Sequence, residues 1–178
     1  LGTDEKIYGA DGLQNQVLDL RFEGDLSDAS PAGNDGTYGG AANYVAGVKE
    51  GTQALELDGS SYLNLGTDAS LTPTKEMTVS LWIKPPTDGS WNNGEQILAG
   101  TKAEYYTDGW YIGTQPNTPL ELSFGSASGQ PYKLELKEQA TRAEIFKPGE
   151  WTHLVVTYRD SDERKAAVYI NGESKELK

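Results

Sequence analysis

Trp151-Thr152-His153-Leu154-Val155-Val156-Thr157-Tyr158, then Lys165-Ala166-Ala167-Val168-Tyr169-Ile170, then Asn171-Gly172, is the stretch whose reading decides the fold. Alternation with period two puts Leu154, Val156 and Tyr158 on one face and His153, Val155 and Thr157 on the other, the pattern of a half-buried antiparallel sheet. A polar loop, Asp160-Ser161-Asp162-Glu163-Arg164, joins the two runs and reads as a solvated turn. Asn-Gly after an apolar run is a hairpin signal, because both central positions of the favoured two-residue turn need positive φ. Only Glu173 to Lys178 follow, a segment too short and too charged for a central strand. The expectation is that the sheet is incomplete here, and that the edge at Val168 to Ile170 is either paired by another domain, another chain or the N-terminal lead-in, or left open.

The same alternation recurs upstream. Val17 to Phe22 reads as a strand with Leu18, Leu20 and Phe22 on the core face. Ala54 to Leu57 and Tyr62 to Leu65 read as a hairpin through Asp58-Gly59-Ser60-Ser61. In Met77 to Lys84, Met77, Val79, Leu81 and Ile83 share one face, Trp82 points the other way, and Pro85-Pro86 ends the run by removing ladder donors. Glu95 to Thr101, Gly109 to Gly113, Leu120 to Phe124 and Tyr132 to Leu136 are further short strands. Only Lys137 to Phe146 suits a helix, closed by Lys147-Pro148-Gly149. Roughly ten half-apolar strands must bury one face against a second sheet, so the fold class is all-β, a two-sheet antiparallel sandwich. Residues 1–16 read as a lead-in or linker and 17–178 as one domain, a size at which a single sandwich is common.

Composition narrows the function. The formal net charge of −12 opposes phosphate backbones and anionic lipid surfaces, so neither nucleic acid nor the membrane is an expected partner. Cysteine is absent, which removes disulfides and thiolate metal sites. No apolar run approaches the roughly 18 residues that span a bilayer, and Leu1-Gly2-Thr3-Asp4 has no signal-peptide character.

Taken in order, Leu18-Asp19-Leu20-Arg21-Phe22-Glu23, Asp28 to Gly36, Ala54 to Gly59, Met77 to Pro85, Gly109-Trp110-Tyr111-Ile112-Gly113, Gly149 to Tyr158 and Val168 to Gly172 resemble the concanavalin A-like jelly-roll superfamily. Within it they are similar to the laminin G-like domains of bacterial secreted carbohydrate-active proteins. The resemblance covers residues 17–172 and implies a jelly roll, secretion or display at the cell surface, and a non-catalytic module that binds a polysaccharide or other glycan. Two alternatives stay open: a protein-binding adhesion domain, and a spacer domain of a large extracellular enzyme. Members of the family usually continue after the Asn-Gly turn for two or three strands, on the order of 25 to 40 residues.

Candidate sites follow from residue chemistry. Calcium takes six to eight oxygens from carboxylates, amides and main-chain carbonyls, and the resemblance implies such an ion beside the first long turn. Glu23, Asp28, Asn34 and Asp58 are the ligands to which this applies. The same run also reads as an Asx-rich turn that needs no metal. A pyranose stacks its apolar face on an aromatic ring, which singles out Trp91, alone in the polar loop Asp88 to Gly94, with Tyr105, Tyr106 and Asp108 as a second cluster. Trp82, Trp110 and Trp151 sit in strand motifs and read as structural, and Tyr132 as turn packing. His153 is the single histidine, and catalysis through it needs a nucleophile and an orienting acid in register. The paired carboxylates of a glycosidase strand, spaced Glu-x-Asp-x-(x)-Glu, do not occur.

Overall fold

A computed structural model describes residues 15–40, 42–72, 75–92, 94–101, 109–125, 132–160 and 165–178. The chain divides into two compact units, Leu1–Leu71 and Thr72–Lys178. Among the described residues there are twelve strands, one short α-helix and two single-turn 3-10 helices, and no helix is long and apolar enough to cross a membrane.

The first unit holds β1 (Thr37–Tyr38), β2 (Asn43–Ala46), β3 (Gln53–Glu56) and β4 (Leu63–Asn64). β3 pairs with β2, while β4 pairs with β1. The hairpin expected between Ala54–Leu57 and Tyr62–Leu65 therefore does not form. Its connection is a corner: the Asp58 Oδ1 accepts the main-chain N–H of Ser60 and of Ser61 at 2.9 Å and the hydroxyls of both serines, a local turn that competes with the ladder. β1 and β2 were not expected from sequence. Tyr38 ties the two small sheets together, its hydroxyl donating to the Glu56 carbonyl at 2.8 Å.

Val17 to Phe22 also departs from expectation. It forms only an isolated bridge, Leu20 with Asp28. A carboxylate takes the donors that a neighbouring strand would have taken: Asp28 accepts from the main-chain N–H of Asp19. Phe22, at φ 58°, is in the left-handed region that bulky residues avoid, which stops the extended run.

The second unit is a sandwich. One sheet runs in the order β12 (Glu173–Lys175), β11 (Lys165–Ile170), β10 (Thr152–Arg159), β5 (Glu76–Ile83). The other runs β6 (Gln96–Gly100), β7 (Trp110–Gln115), β8 (Thr118–Phe124), β9 (Tyr132–Glu135). All pairs are antiparallel. Leu154, Val156 and Val168 from the first sheet meet Ile112, Leu120 and Leu122 from the second, all completely buried together with Phe146. Each such side chain contributes about 1.5–3 kcal/mol relative to exposure. Phe124 and Tyr158 stack across the core with ring centres 3.9 Å apart. The helix α1 (Arg142–Ile145) is shorter than the Lys137–Phe146 segment expected. It begins at Thr141 because the Thr141 side chain accepts from the Glu144 N–H while Glu144 reaches back to the Thr141 main chain, a capping box.

The edge beyond Val168 to Ile170 is not left to another chain or domain. After the turn, with Asn171 at φ 52° and Gly172 at φ 82°, β12 pairs Glu173 with Ile170 and Lys175 with Val168. The charged side chains that argued against a central strand suit an outer one. The chain then crosses to the other sheet: Glu135 and Lys178 exchange main-chain hydrogen bonds at 3.1 and 2.9 Å, the Lys137 N–H donates to the Glu176 carbonyl at 2.9 Å, and Leu177 bridges Leu136. One side of the sandwich is thereby sewn shut.

Candidate functional site

The proposed calcium ligands are each engaged in holding their own backbone. Asp28 accepts from the main-chain N–H of Asp19 (2.7 Å), Ser30 (2.8 Å) and Asn34 (2.7 Å) and from the Ser30 hydroxyl (2.7 Å). Partial burial pushes this carboxyl up, but those hydrogen bonds outweigh burial and hold it below the ordinary carboxylate value. Asn34 donates its amide to the Val17 carbonyl at 2.8 Å and to the Ser70 hydroxyl at 3.1 Å. Glu23 accepts from the Gln53 N–H at 3.0 Å. The Ser61 and Ser60 hydroxyls, with the Ser60 N–H, bring Asp58 down to about 2. Among the described residues no three acidic or histidine side chains converge as metal ligands do. The carboxylates of Asp28 and Asp58 thus serve main-chain and serine donors, the arrangement of an Asx-rich turn.

Trp91 faces inward. Its ring packs against the core, edge-on to Phe146 with centres 6.3 Å apart, and its indole nitrogen is buried without a hydrogen-bond partner among the described residues. The loop is clamped from behind by Arg142, whose guanidinium donates to the Trp91 carbonyl and, at 2.6 Å, to the Gly94 carbonyl while lying 5.8 Å from the Trp91 ring centre. Arg142 is 2% exposed, and desolvation lowers its pKa. Tyr105, Tyr106 and Asp108 lie outside the described residues.

An aromatic surface stands elsewhere. Trp82, read from sequence as structural, is 48% exposed on the face of β5 that turns away from the core. Register sets it directly opposite His153 on β10, and the two rings stack with centres 4.7 Å apart and planes 17° apart. The His153 Nε2 meets the Ser80 hydroxyl at 2.9 Å, and the His153 main-chain N–H donates to the Asn171 side-chain oxygen at 2.9 Å. Both ring orientations are therefore fixed before any ligand arrives. Tyr169, 38% exposed, shares this face through its pairing with Val155. Alternation had already assigned Trp82 and His153 to non-core faces; what sequence lacked was the register that brings them together. Trp110 does pack on the core, and Trp151 carries Lys84 over its ring at 5.8 Å.

Two arrangements suggest catalysis and fall short of it. Ser80 and His153 are at nucleophile–base distance, but among the described residues no carboxylate orients the other ring nitrogen. Both residues also sit mid-strand on an open sheet face, where the ladder pairing Ser80 with Val155 occupies the main chain. Glu121 and Glu135 are directly paired across β8 and β9, the side-by-side carboxylates of a hydrolase in outline. Each is engaged by a lysine, Glu121 by Lys133 at 3.2 Å and Glu135 by Lys178 at 3.7 Å.

Solved structures share this fold. The binding domain of Paraclostridial Mosquitocidal Protein 1 is 17% identical with a TM-score of 0.65, the match covering 93% of this chain and 41% of that one. The receptor binding domain of botulinum neurotoxin D is 16% identical with a TM-score of 0.55, covering 93% and 40%. The chain thus spans about two fifths of the length of these structures. Among curated proteins none matches in sequence. The family model described as the concanavalin A-like lectin/glucanases superfamily, Laminin_G_3, matches residues 57–176. That stretch takes in β5 to β12, both sheets of the sandwich and the paired rings of Trp82 and His153, and it makes this chain a laminin G-like member of the concanavalin A-like lectin/glucanases superfamily.

Proposed function

We propose that this chain is a non-catalytic carbohydrate-binding module of a secreted or cell-surface bacterial protein. The observation that carries the reading is the half-exposed indole of Trp82 on the outer face of a laminin G-like sheet, its orientation fixed by His153 and Ser80. A sugar ring stacks on such an indole and turns its hydroxyls toward polar neighbours. A superfamily that includes lectins supports a saccharide as the ligand. Asp28, with its four hydrogen bonds, organises the first long turn in this reading.

A second reading is recognition of a protein surface. It draws on the names of the structural neighbours, one a binding domain and one a receptor binding domain. A glycan array probed with the folded chain, with and without calcium, separates the two. Binding to at least one glycan family in either condition is expected. A folded chain that binds none at high concentration overturns the carbohydrate reading in favour of a protein partner.

A further inference from the structure

We infer that two copies of this chain pair antiparallel along β5, about a two-fold axis at Ser80, and join their β12–β11–β10–β5 sheets into one. The inference does not rest on the carbohydrate reading.

The first observation is an open ladder. β5 ends its sheet and pairs only with β10 among the described residues. Two main-chain bonds fix which groups are left over. The Asp160 N–H donates to the Lys75 carbonyl at 2.6 Å, while the His153 carbonyl accepts from the Asn171 N–H at 2.8 Å on the far side of β10. Antiparallel pairs alternate between bonded and non-bonded. Met77, Val79, Leu81 and Ile83 therefore bond β10, and Glu76, Thr78, Ser80 and Trp82 aim their N–H and C=O groups at the open edge. All four of these residues are exposed.

The second is that the core thins out there. Leu154 and Val156 on β10 are completely buried, but Met77, Val79 and Leu81, which face the same core from β5, are only half-buried. One more strand alongside would cover them.

The third is the contrast with the other edges. Folded sheets guard an edge by brevity, charge, a bulge or a cover. β12 is three residues long and carries Glu173 and Lys175, β6 has a bulge between Ile97 and Ala99, and β9 is bonded at Glu135 by Lys178. β5 runs for eight residues without a bulge, and from Met77 to Ile83 it has no Pro, Gly or charge.

The sequence of β5 selects a second copy as the partner. Setting Ser80 against Ser80 of that copy sets Thr78 against Trp82, Val79 against Leu81, Met77 against Ile83 and Glu76 against Lys84. The edge-directed main-chain groups then meet one another, apolar side chains meet apolar ones, and opposite charges meet at both ends. Glu76 keeps Arg159 at 2.8 Å within its own copy, so the incoming lysine adds to an existing pair. The contact is isologous and closes on itself, because it consumes the open edge and leaves only the short, charged β12 outside. Two Trp82 rings then stand on one face, roughly 14 Å apart by strand spacing and rise. The formal charge of −12 on each chain opposes the approach, so the pair is weak and tightens as salt screens that repulsion.

Sedimentation velocity and native-state hydrogen exchange test this on the intact chain, from about 5 µM to about 1 mM. Monomer should give way to dimer as concentration rises. With it the Thr78, Ser80 and Trp82 amides should gain about tenfold or more protection, whereas those of Val79 and Leu81 are protected throughout by β10. Ser80→Lys, which sets like charges face to face at the axis, should weaken dimerisation about tenfold or more. Glu76→Lys should weaken it although it lowers the net charge, and adding Lys84→Glu should restore it, an exchange that this register requires. If Ser80→Lys does not fold, the charge exchange and the wild-type amide pattern decide.

A chain that stays monomeric throughout, with fast exchange at Thr78, Ser80 and Trp82, overturns the inference. A monomer in which those amides are protected overturns it in favour of a segment of the same chain. A dimer indifferent to Ser80→Lys and to the charge exchange overturns it in favour of another interface.

Discussion

Replacing Asp28 tests whether a carboxylate, and not a metal ion, organises the first long turn. Four donors converge on it: three main-chain N–H groups, from Asp19, Ser30 and Asn34, and the Ser30 hydroxyl. Ser30 and Asn34 are themselves buried, so their main-chain donors have poor access to water once the carboxylate is gone. Two such donors at about 1.5 kcal/mol each, with a few tenths for the better-hydrated pair, give about 3 kcal/mol for Asp28→Ala. Asp28→Asn keeps one acceptor oxygen and should cost about half as much.

The pH dependence follows from the sign of the shift. Asp28 is held below its ordinary value of 3.8 in the folded chain, so its contribution is complete above that pH. It is lost as pH falls through the lower folded value. Urea unfolding followed by far-ultraviolet circular dichroism, at neutral pH and at a series of acidic pH values, measures both effects. Each variant is compared in excess EDTA and in excess calcium, between which the wild-type midpoint should not move. A cost below about 1 kcal/mol for Asp28→Ala, or a wild-type midpoint that rises with calcium and falls with EDTA, refutes the reasoning.

Two further outcomes concern the second unit. Arg142→Ala should destabilise the chain by about 3 kcal/mol and alter Trp91 fluorescence, because it leaves the Trp91 and Gly94 carbonyls without their donors and opens a cavity under the loop; Arg142→Lys should not rescue it, since an ammonium lacks the planar fork. Thermal and urea unfolding with tryptophan emission checks both. Asn171→Ala should cost about 1.5 kcal/mol by equilibrium unfolding, combining a positive φ that alanine disfavours with loss of the side-chain acceptor for the His153 N–H, whereas Asn171→Gly should recover the conformational part only.

The sandwich was legible where alternation is strong. Met77 to Ile83 and Thr152 to Tyr158 bury the residues that period two assigns to the core, and the Asn-Gly turn has the positive φ values expected of it. Legibility failed where side chains capture the main chain. Val17 to Phe22 alternates as well as any strand, but Asp28, six residues beyond it, takes its donor. The corner at Asp58 looks like a hairpin loop until its serines are seen to bind the aspartate.

The site was harder because it depends on which strands meet. A lone tryptophan in a polar loop suggests exposure, but the buried guanidinium of Arg142, distant in sequence, draws the loop of Trp91 onto the core. A tryptophan inside an apolar strand suggests burial, but Trp82 lies on the outward face of that strand, with Thr78 and Ser80. Period-two patterning names the face; only the register with His153 identifies what lies beside it.

The pairing of β5 with β10 also governs when the molecule can work. Its partners, from Ile83 with Thr152 to Glu76 with Arg159, are separated by roughly 70 to 80 residues of chain. Closing so long a loop costs entropy before any contact repays it, which places this domain among the slow folders, on a timescale of milliseconds to seconds. During synthesis Trp82 emerges long before His153, and the stacked pair forms only after nearly all of the second unit has left the ribosome. Recognition by this surface is therefore a property of the finished domain, and a nascent chain truncated anywhere before β10 carries the tryptophan without the platform.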